Sequence, residues 1–109
     1  MDKKQLKYHH LGIPSTETRT GETYLPEFKM YVQGFSTSQF GIEWMRFDDD
    51  CPLPDLVKTM PHIAFQVDDV EEAIKSEKIL IEPNSPSPGV LVAFIEEDGV
   101  PIELIQINE

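Results

Sequence analysis

The sequence predicts an α+β fold made of two repeats of one strand-rich module, β-α-β-β-β in the second half and the same pattern without most of its helix in the first. Three observations lead there. His10-Leu11-Gly12-Ile13 and His62-Ile63-Ala64-Phe65 each place a His before an aliphatic, a small and a large apolar residue at the opening of a half. Gly41-Ile42-Glu43-Trp44-Met45 and Pro101-Ile102-Glu103-Leu104-Ile105 each close a half with Ile, then Glu, then two large apolar residues. Between these landmarks the apolar positions mostly recur with period two, the signature of strands, and a clear helical stripe occurs once, over 70–74.

Residues 8–13, YHHLGI, are aromatic and aliphatic and run into Pro14-Ser15-Thr16, which predicts a strand stopped by turn residues. Residues 16–26 follow neither period and read as a loop with at most one helical turn. Over 28–36, Phe28, Met30 and Val32 alternate with Lys29, Tyr31 and Gln33, a strand with two unlike faces, and 40–47 supplies its hairpin partner after Thr37-Ser38. The charged, Pro-punctuated run Asp48 to Pro54, with room for a single helical turn over 55–59, separates the halves. Module one therefore spans about 7–48, the connector about 48–60 and module two about 61–108.

Module two opens with a strand in which Ile63, Phe65 and Val67 share one face and His62, Ala64 and Gln66 the other. Asp68 or Asp69 then supplies an N-cap, Glu71 and Glu72 suit the first helical turn, and Val70, Ala73 and Ile74 form the apolar stripe. Residues 79–82 read as a brief strand, 83–89 as a Pro- and Ser-rich loop, and 90–96 as a mostly apolar strand. Glu97-Asp98-Gly99 is a hairpin turn signal, and 100–107 returns as the last strand. His10 and Glu43 lie 33 residues apart but His62 and Glu103 lie 41 apart, an excess assigned to the helix that module one lacks.

A chain of 109 residues is of the size that builds one core, so 1–109 is expected to form a single domain. Its formal charge of -11 repels phosphate backbones and anionic bilayers, which argues against nucleic acid and membrane partners. Cys51 is the only cysteine, so no intrachain disulfide or thiolate metal cluster can form. Its acidic connector is also a poor setting for a reactive thiolate. The polar start, Met1 to Lys7, leads into no signal-like apolar run and no segment reaches spanning length, so a cytoplasmic location is expected.

A Glu set among Ile102, Leu104 and Ile105, in a strand that otherwise reads as core, is costly to desolvate unless a cation or partner compensates it. If Glu103 and Glu43 share the concave face of a sheet with His62 and His10, two imidazoles and two carboxylates converge. Such a mixed N/O set suits Zn, Ni, Co, Mn or Fe(II) better than Ca or Mg. His9 competes with His10 for the ligand role; the repeat match favours His10, because alternation sets His10 with Tyr8 and Gly12 and leaves His9 with Leu11 and Ile13. No Ser/His/Asp set, phosphate-cradling glycine loop or HExxH helix is present.

On the segments HHLGIPS, PHIAFQVDDVEEAI, GIEWMRF and GVPIELIQI, the chain resembles the vicinal oxygen chelate superfamily of glyoxalase I, methylmalonyl-CoA epimerase, extradiol dioxygenases and bleomycin resistance proteins. The resemblance implies that the modules curl into an open, barrel-like mixed sheet, with His10, Glu43, His62 and Glu103 at the metal-ligand positions. It further implies an isomerase or lyase acting on a small oxygenated metabolite, in which a divalent metal chelates vicinal oxygens and Glu103 or Glu43 moves a proton alpha to a carbonyl. Metal-free sequestering of a small molecule, in the manner of the bleomycin resistance proteins, is the alternative, and a homodimer is expected. Of the residues near the cleft, Tyr31, Trp44, Gln66 and Phe94 read as packing or surface. Arg46, a conceivable anion anchor, has the wrong parity against Glu43 to face inward.

Overall fold

The computed structural model describes residues 6–108, so most of the polar N-terminal stretch lies outside the described residues. The strands are β1 (Lys7–Pro14), β2 (Thr23–Leu25), β3 (Met30–Gln33), β4 (Ile42–Phe47), β5 (His62–Gln66), β6 (Lys78–Ser87), β7 (Val90–Glu97) and β8 (Val100–Ile107). Two short helices accompany them, α1 (Asp55–Thr59) in the connector and α2 (Val70–Ala73) after β5. All eight strands join one mixed sheet in the order β2-β3-β4-β1-β5-β8-β7-β6, curled into an open half-barrel. The order is its own mirror image about the β1–β5 seam. The hairpins and the seam are antiparallel, whereas β1–β4 and β5–β8 are parallel.

The α+β fold with two modules and one helix-poor half is what the sequence predicts, with three local differences. Within the expected loop 16–26, Thr23–Leu25 pairs with β3 as a short edge strand; three residues are too few to show a period. The strand expected over 28–36 is confined to Met30–Gln33, because Lys29 takes a left-handed φ of 54° and Gly34 one of 106°. Most consequential is β6, which runs through the expected loop 83–89 as far as Ser87. Pro lacks an N–H and suits an edge, and β6 is an edge strand whose register against β7 slips three times. The extra length of module two is therefore only partly helix, since β6 and β7 have 10 and 8 residues against 3 and 4 in β2 and β3.

The two faces of the sheet bury different things. On the convex side of module two, α2 lays Val70, Ala73 and Ile74 onto Ala93, Ile95 and Leu104, with Phe65 and Val67 completing the cluster. Asp69 caps α2 by accepting from the Glu72 N–H at 3.2 Å, the second of the two expected caps. Asp98 (φ 48°) and Gly99 (φ 85°) form the β7–β8 turn, both left-handed as a tight hairpin requires. In module one the segment before β2 covers the convex face without a helix, by setting Arg19 over the Trp44 ring at 3.9 Å. No described helix is long and apolar enough to cross a membrane.

Candidate metal centre

The register of the four central strands places the predicted residues in two rows on the concave face. Glu43 on β4 pairs with Gly12 on β1, and Gly12 pairs with His62 on β5. His10 on β1 pairs with Ala64 on β5, and Ala64 pairs with Glu103 on β8. Each row is thus a His and a Glu with the smallest residue of the strand between them. The repeated motif of His, any aliphatic, then a small residue acquires a physical reason: antiparallel pairing sets the small residue of one module under the His of the other. Gly12 is the tighter case, since a Cβ there would stand 2.2 Å from Cε1 and 2.8 Å from Nε2 of His62.

Three donors converge across the rows. Glu103 Oε1 lies 3.1 Å from His62 Nε2 and 3.2 Å from His10 Nε2, and the two Nε2 atoms are 3.3 Å apart. His10 and His62 are buried at 6% and 2% exposure, so this meeting of polar groups is shielded from bulk water. First-row divalent ions bind such atoms at about 2.0–2.2 Å, which sets neighbouring donors roughly 3 Å apart, and the donor set fits. His62 directs Nε2 into this group, while its Nδ1 is buried with no hydrogen-bond partner among the described residues, unlike His10, whose Nδ1 meets His9. Glu43 is the exception among the four predicted ligands. Its Oε1 reaches 3.6 Å from His10 Nε2 but stands outside the group whose donors all lie within 4.8 Å of one another.

The electrostatics separate the two carboxylates. Burial pushes the Glu103 carboxyl up, but the hydrogen bonds from His10 and His62 and their charges more than offset it and hold it at about 2. Burial raises Glu43 above the ordinary carboxylate range, and the nearby Glu103 adds to the rise while the histidines oppose it. Burial lowers His10, but the hydrogen bond and charge of Glu103, then Glu43, outweigh it and leave His10 raised.

His9 takes a part that alternation does not foresee. The β1–β5 register shifts between Tyr8 and His10, a bulge that turns His9 out of alternation, and its Nδ1 comes 2.8 Å from His10 Nδ1. The His9 ring stacks on Phe35 at 4.9 Å, and burial followed by the charge of His10 lowers its pKa. A neutral His9 can accept a hydrogen bond from His10 Nδ1–H, the tautomer in which His10 Nε2 has its lone pair available to a metal. The register shift was the missing signal.

Above the donors lies a cavity of about 170 Å³ walled by both modules and the connector, with Glu43, His62 and Glu103 among its lining. Phe94 lines it, whereas Tyr31, Trp44, Arg46 and Gln66 do not. Arg46 instead donates to both carboxylate oxygens of Glu22 at 2.8 and 3.0 Å and lies over the Tyr31 ring, as its parity against Glu43 predicts. Asn84 and Pro86 reach the cavity from the irregular stretch of β6 that reads as a loop in sequence.

No family model matches the chain, and no curated protein matches it. Solved structures share its fold over nearly the whole length. A hypothetical protein from Bacillus halodurans C-125 superimposes with a TM-score of 0.73 at 21% identity, covering 97% of each chain. A methylmalonyl-CoA epimerase from Mycobacterium tuberculosis superimposes at 0.67 and 15% identity, covering 100% of this chain and 93% of the other. At these identities the likeness establishes a common fold.

Proposed function

We propose that this protein is a divalent-metal-dependent isomerase or lyase of the glyoxalase and epimerase type, within the vicinal oxygen chelate superfamily. Its substrate is a small oxygenated metabolite from which a proton alpha to a carbonyl is moved. The observation that carries the reading is the convergence of His10 Nε2, His62 Nε2 and Glu103 Oε1 within 3.1–3.3 Å at the edge of a mostly apolar, partly open cavity. A structural neighbour described as an epimerase supports it.

His10, His62 and Glu103 would hold the ion, whose bound chemistry is Lewis acidity toward two adjacent substrate oxygens. Zn, Ni, Co, Mn and Fe(II) all suit these donors. Of the two carboxylates expected to move the proton, Glu103 is stabilised as an anion by two imidazoles and is a weak base. Glu43 stands beside the donors without joining them, lines the cavity, and is raised toward the range in which a carboxylate takes and returns a proton. In this reading 1–109 works as one domain, because neither half alone supplies the donor set, and the expected partner is a second copy of the chain.

The test is metal titration of untagged protein, followed by proton–deuterium exchange alpha to the carbonyl of simple hydroxyketones in D2O. His62→Ala and Glu103→Gln should lose the metal. Glu43→Gln should keep it and lose exchange. Failure of the wild type to bind any of the five metals refutes the metal reading and favours metal-free sequestering, and metal binding without exchange on any hydroxyketone counts against the proton transfer.

A further inference from the structure

The cavity says something about its ligand that the donors do not. Its walls are aliphatic and aromatic, with Met30 and Met45 from module one, Val57 from α1, and Ile81, Val92 and Phe94 from module two. Among the described residues no Lys or Arg lines it, and the only polar lining group besides Glu43, His62 and Glu103 is Asn84. Arg46, the nearest argument for an anion anchor, is committed to Glu22 outside it. Once the ligand's two adjacent oxygens occupy the proposed metal, a further phosphate, sulfate or carboxylate on its body would lose its hydration beside two carboxylates and find no Lys or Arg among the lining residues. The volume of about 170 Å³ is close to that of a cavity of about 150 Å³ that accommodates benzene.

Resting on the proposed metal centre, we infer that the site takes a ligand whose two adjacent oxygens are carried on an uncharged, apolar body the size of one ring or a short branched chain. Bodies bearing phosphate or larger anionic handles are excluded from the cavity. Binding energy beyond the two oxygens comes from apolar burial, so affinity grows with the ligand's hydrocarbon surface until the space is full.

Hydroxamic acids test this, since all present the same two oxygens and differ only in the body. Zinc-loaded protein is titrated with acetohydroxamic, butyrohydroxamic, benzohydroxamic and phosphonoacetohydroxamic acids, and zinc-free protein with acetohydroxamic acid. The expected result is tightening of roughly fourfold per methylene, benzohydroxamic acid at least tenfold tighter than acetohydroxamic acid, and the phosphonate no tighter than acetohydroxamic acid. Ile81→Asn, on the edge strand, should weaken benzohydroxamic acid more than it weakens acetohydroxamic acid. A flat series, or a preference for the phosphonate, with binding that still requires zinc overturns this inference alone. Equal binding of acetohydroxamic acid with and without zinc overturns the metal centre and the inference together.

Discussion

Gly12→Ala is the sharpest test of how the fold holds its donors, because elementary propensity and the structure predict opposite signs. A glycine inside a strand is destabilising by roughly 0.5–1 kcal/mol relative to alanine, so a substitution into open space would strengthen β1. At Gly12 the new Cβ would lie 2.2 Å from His62 Cε1 and 2.6 Å from Nδ1, whereas carbon atoms rest at about 3.5–4.0 Å. The ring must therefore retreat by more than about 1 Å. The Phe94 ring at 5.0 Å and the His10 ring at 5.3 Å hem it in, so the cavity it lines is its outlet, away from the other donors.

Overpacking of this kind costs about 1–3 kcal/mol. A displacement of about 1 Å also exceeds the roughly 0.2 Å latitude of a metal–ligand bond. Urea unfolding of metal-free protein should show Gly12→Ala destabilised by about 1–3 kcal/mol. Competition with a chromophoric chelator should show zinc bound about a hundredfold more weakly. A variant as stable as the wild type, or more so, with unchanged zinc affinity would refute the claim that Gly12 is there to seat His62.

Four further outcomes follow from the same geometry. His9→Leu removes the partner of His10 Nδ1, and should weaken zinc binding by roughly ten- to a hundredfold while far-ultraviolet circular dichroism stays unchanged. Arg46→Ala should leave zinc and benzohydroxamic acid affinities as in the wild type, because Arg46 engages Glu22 and Tyr31 outside the cavity; a loss of affinity would restore it as a ligand anchor. For pH, the raised His10 stabilises the metal-free fold below its ordinary 6.5, and that contribution is lost as pH rises through its folded value. Glu103, held at about 2, stabilises it above its ordinary 4.5, and that contribution is lost as pH falls toward 2. In urea unfolding of metal-free protein from pH 3 to 9, both contributions should be fully present between about 4.5 and 6.5, where the raised Glu43 and lowered His9 oppose them. Zinc must displace the His10 proton, so its affinity should fall as pH drops below the raised value, with proton release visible as a buffer-dependent binding enthalpy.

The parts of this fold that sequence made legible are those fixed by periodicity over several residues. His62, Ala64 and Gln66 alternate against Ile63, Phe65 and Val67 in a regular strand, and Asp98-Gly99 demands its turn. What sequence hid depended on departures from regularity. Pro83 and Pro86 carry the chemistry of a loop, but a slipping edge strand has no use for their missing N–H groups. His9 obeys alternation only on paper, since one extra residue at the β1–β5 seam turns it toward His10. The pairing of Gly12 with His62 is implicit in the repeat, yet it becomes visible only when the antiparallel register is known.

Glu43 marks the limit of symmetry as a guide. By register it occupies the same place beside Gly12 that Glu103 occupies beside Ala64, so the backbone gives the two carboxylates equal claims. Their surroundings do not. Glu103 touches both imidazoles, whereas Glu43 meets only His10, at 3.6 Å. Two carboxylates that both closed on the histidines would leave no group free to exchange a proton. In the proposed reaction, the one that stays ionised against two imidazoles would serve as ligand and the one raised by burial as base, the arrangement in which neighbouring titratable groups are driven apart by environment. The pseudo-symmetric sheet therefore brings four groups together, and the uneven contacts of its two halves give the two carboxylates different electrostatic surroundings.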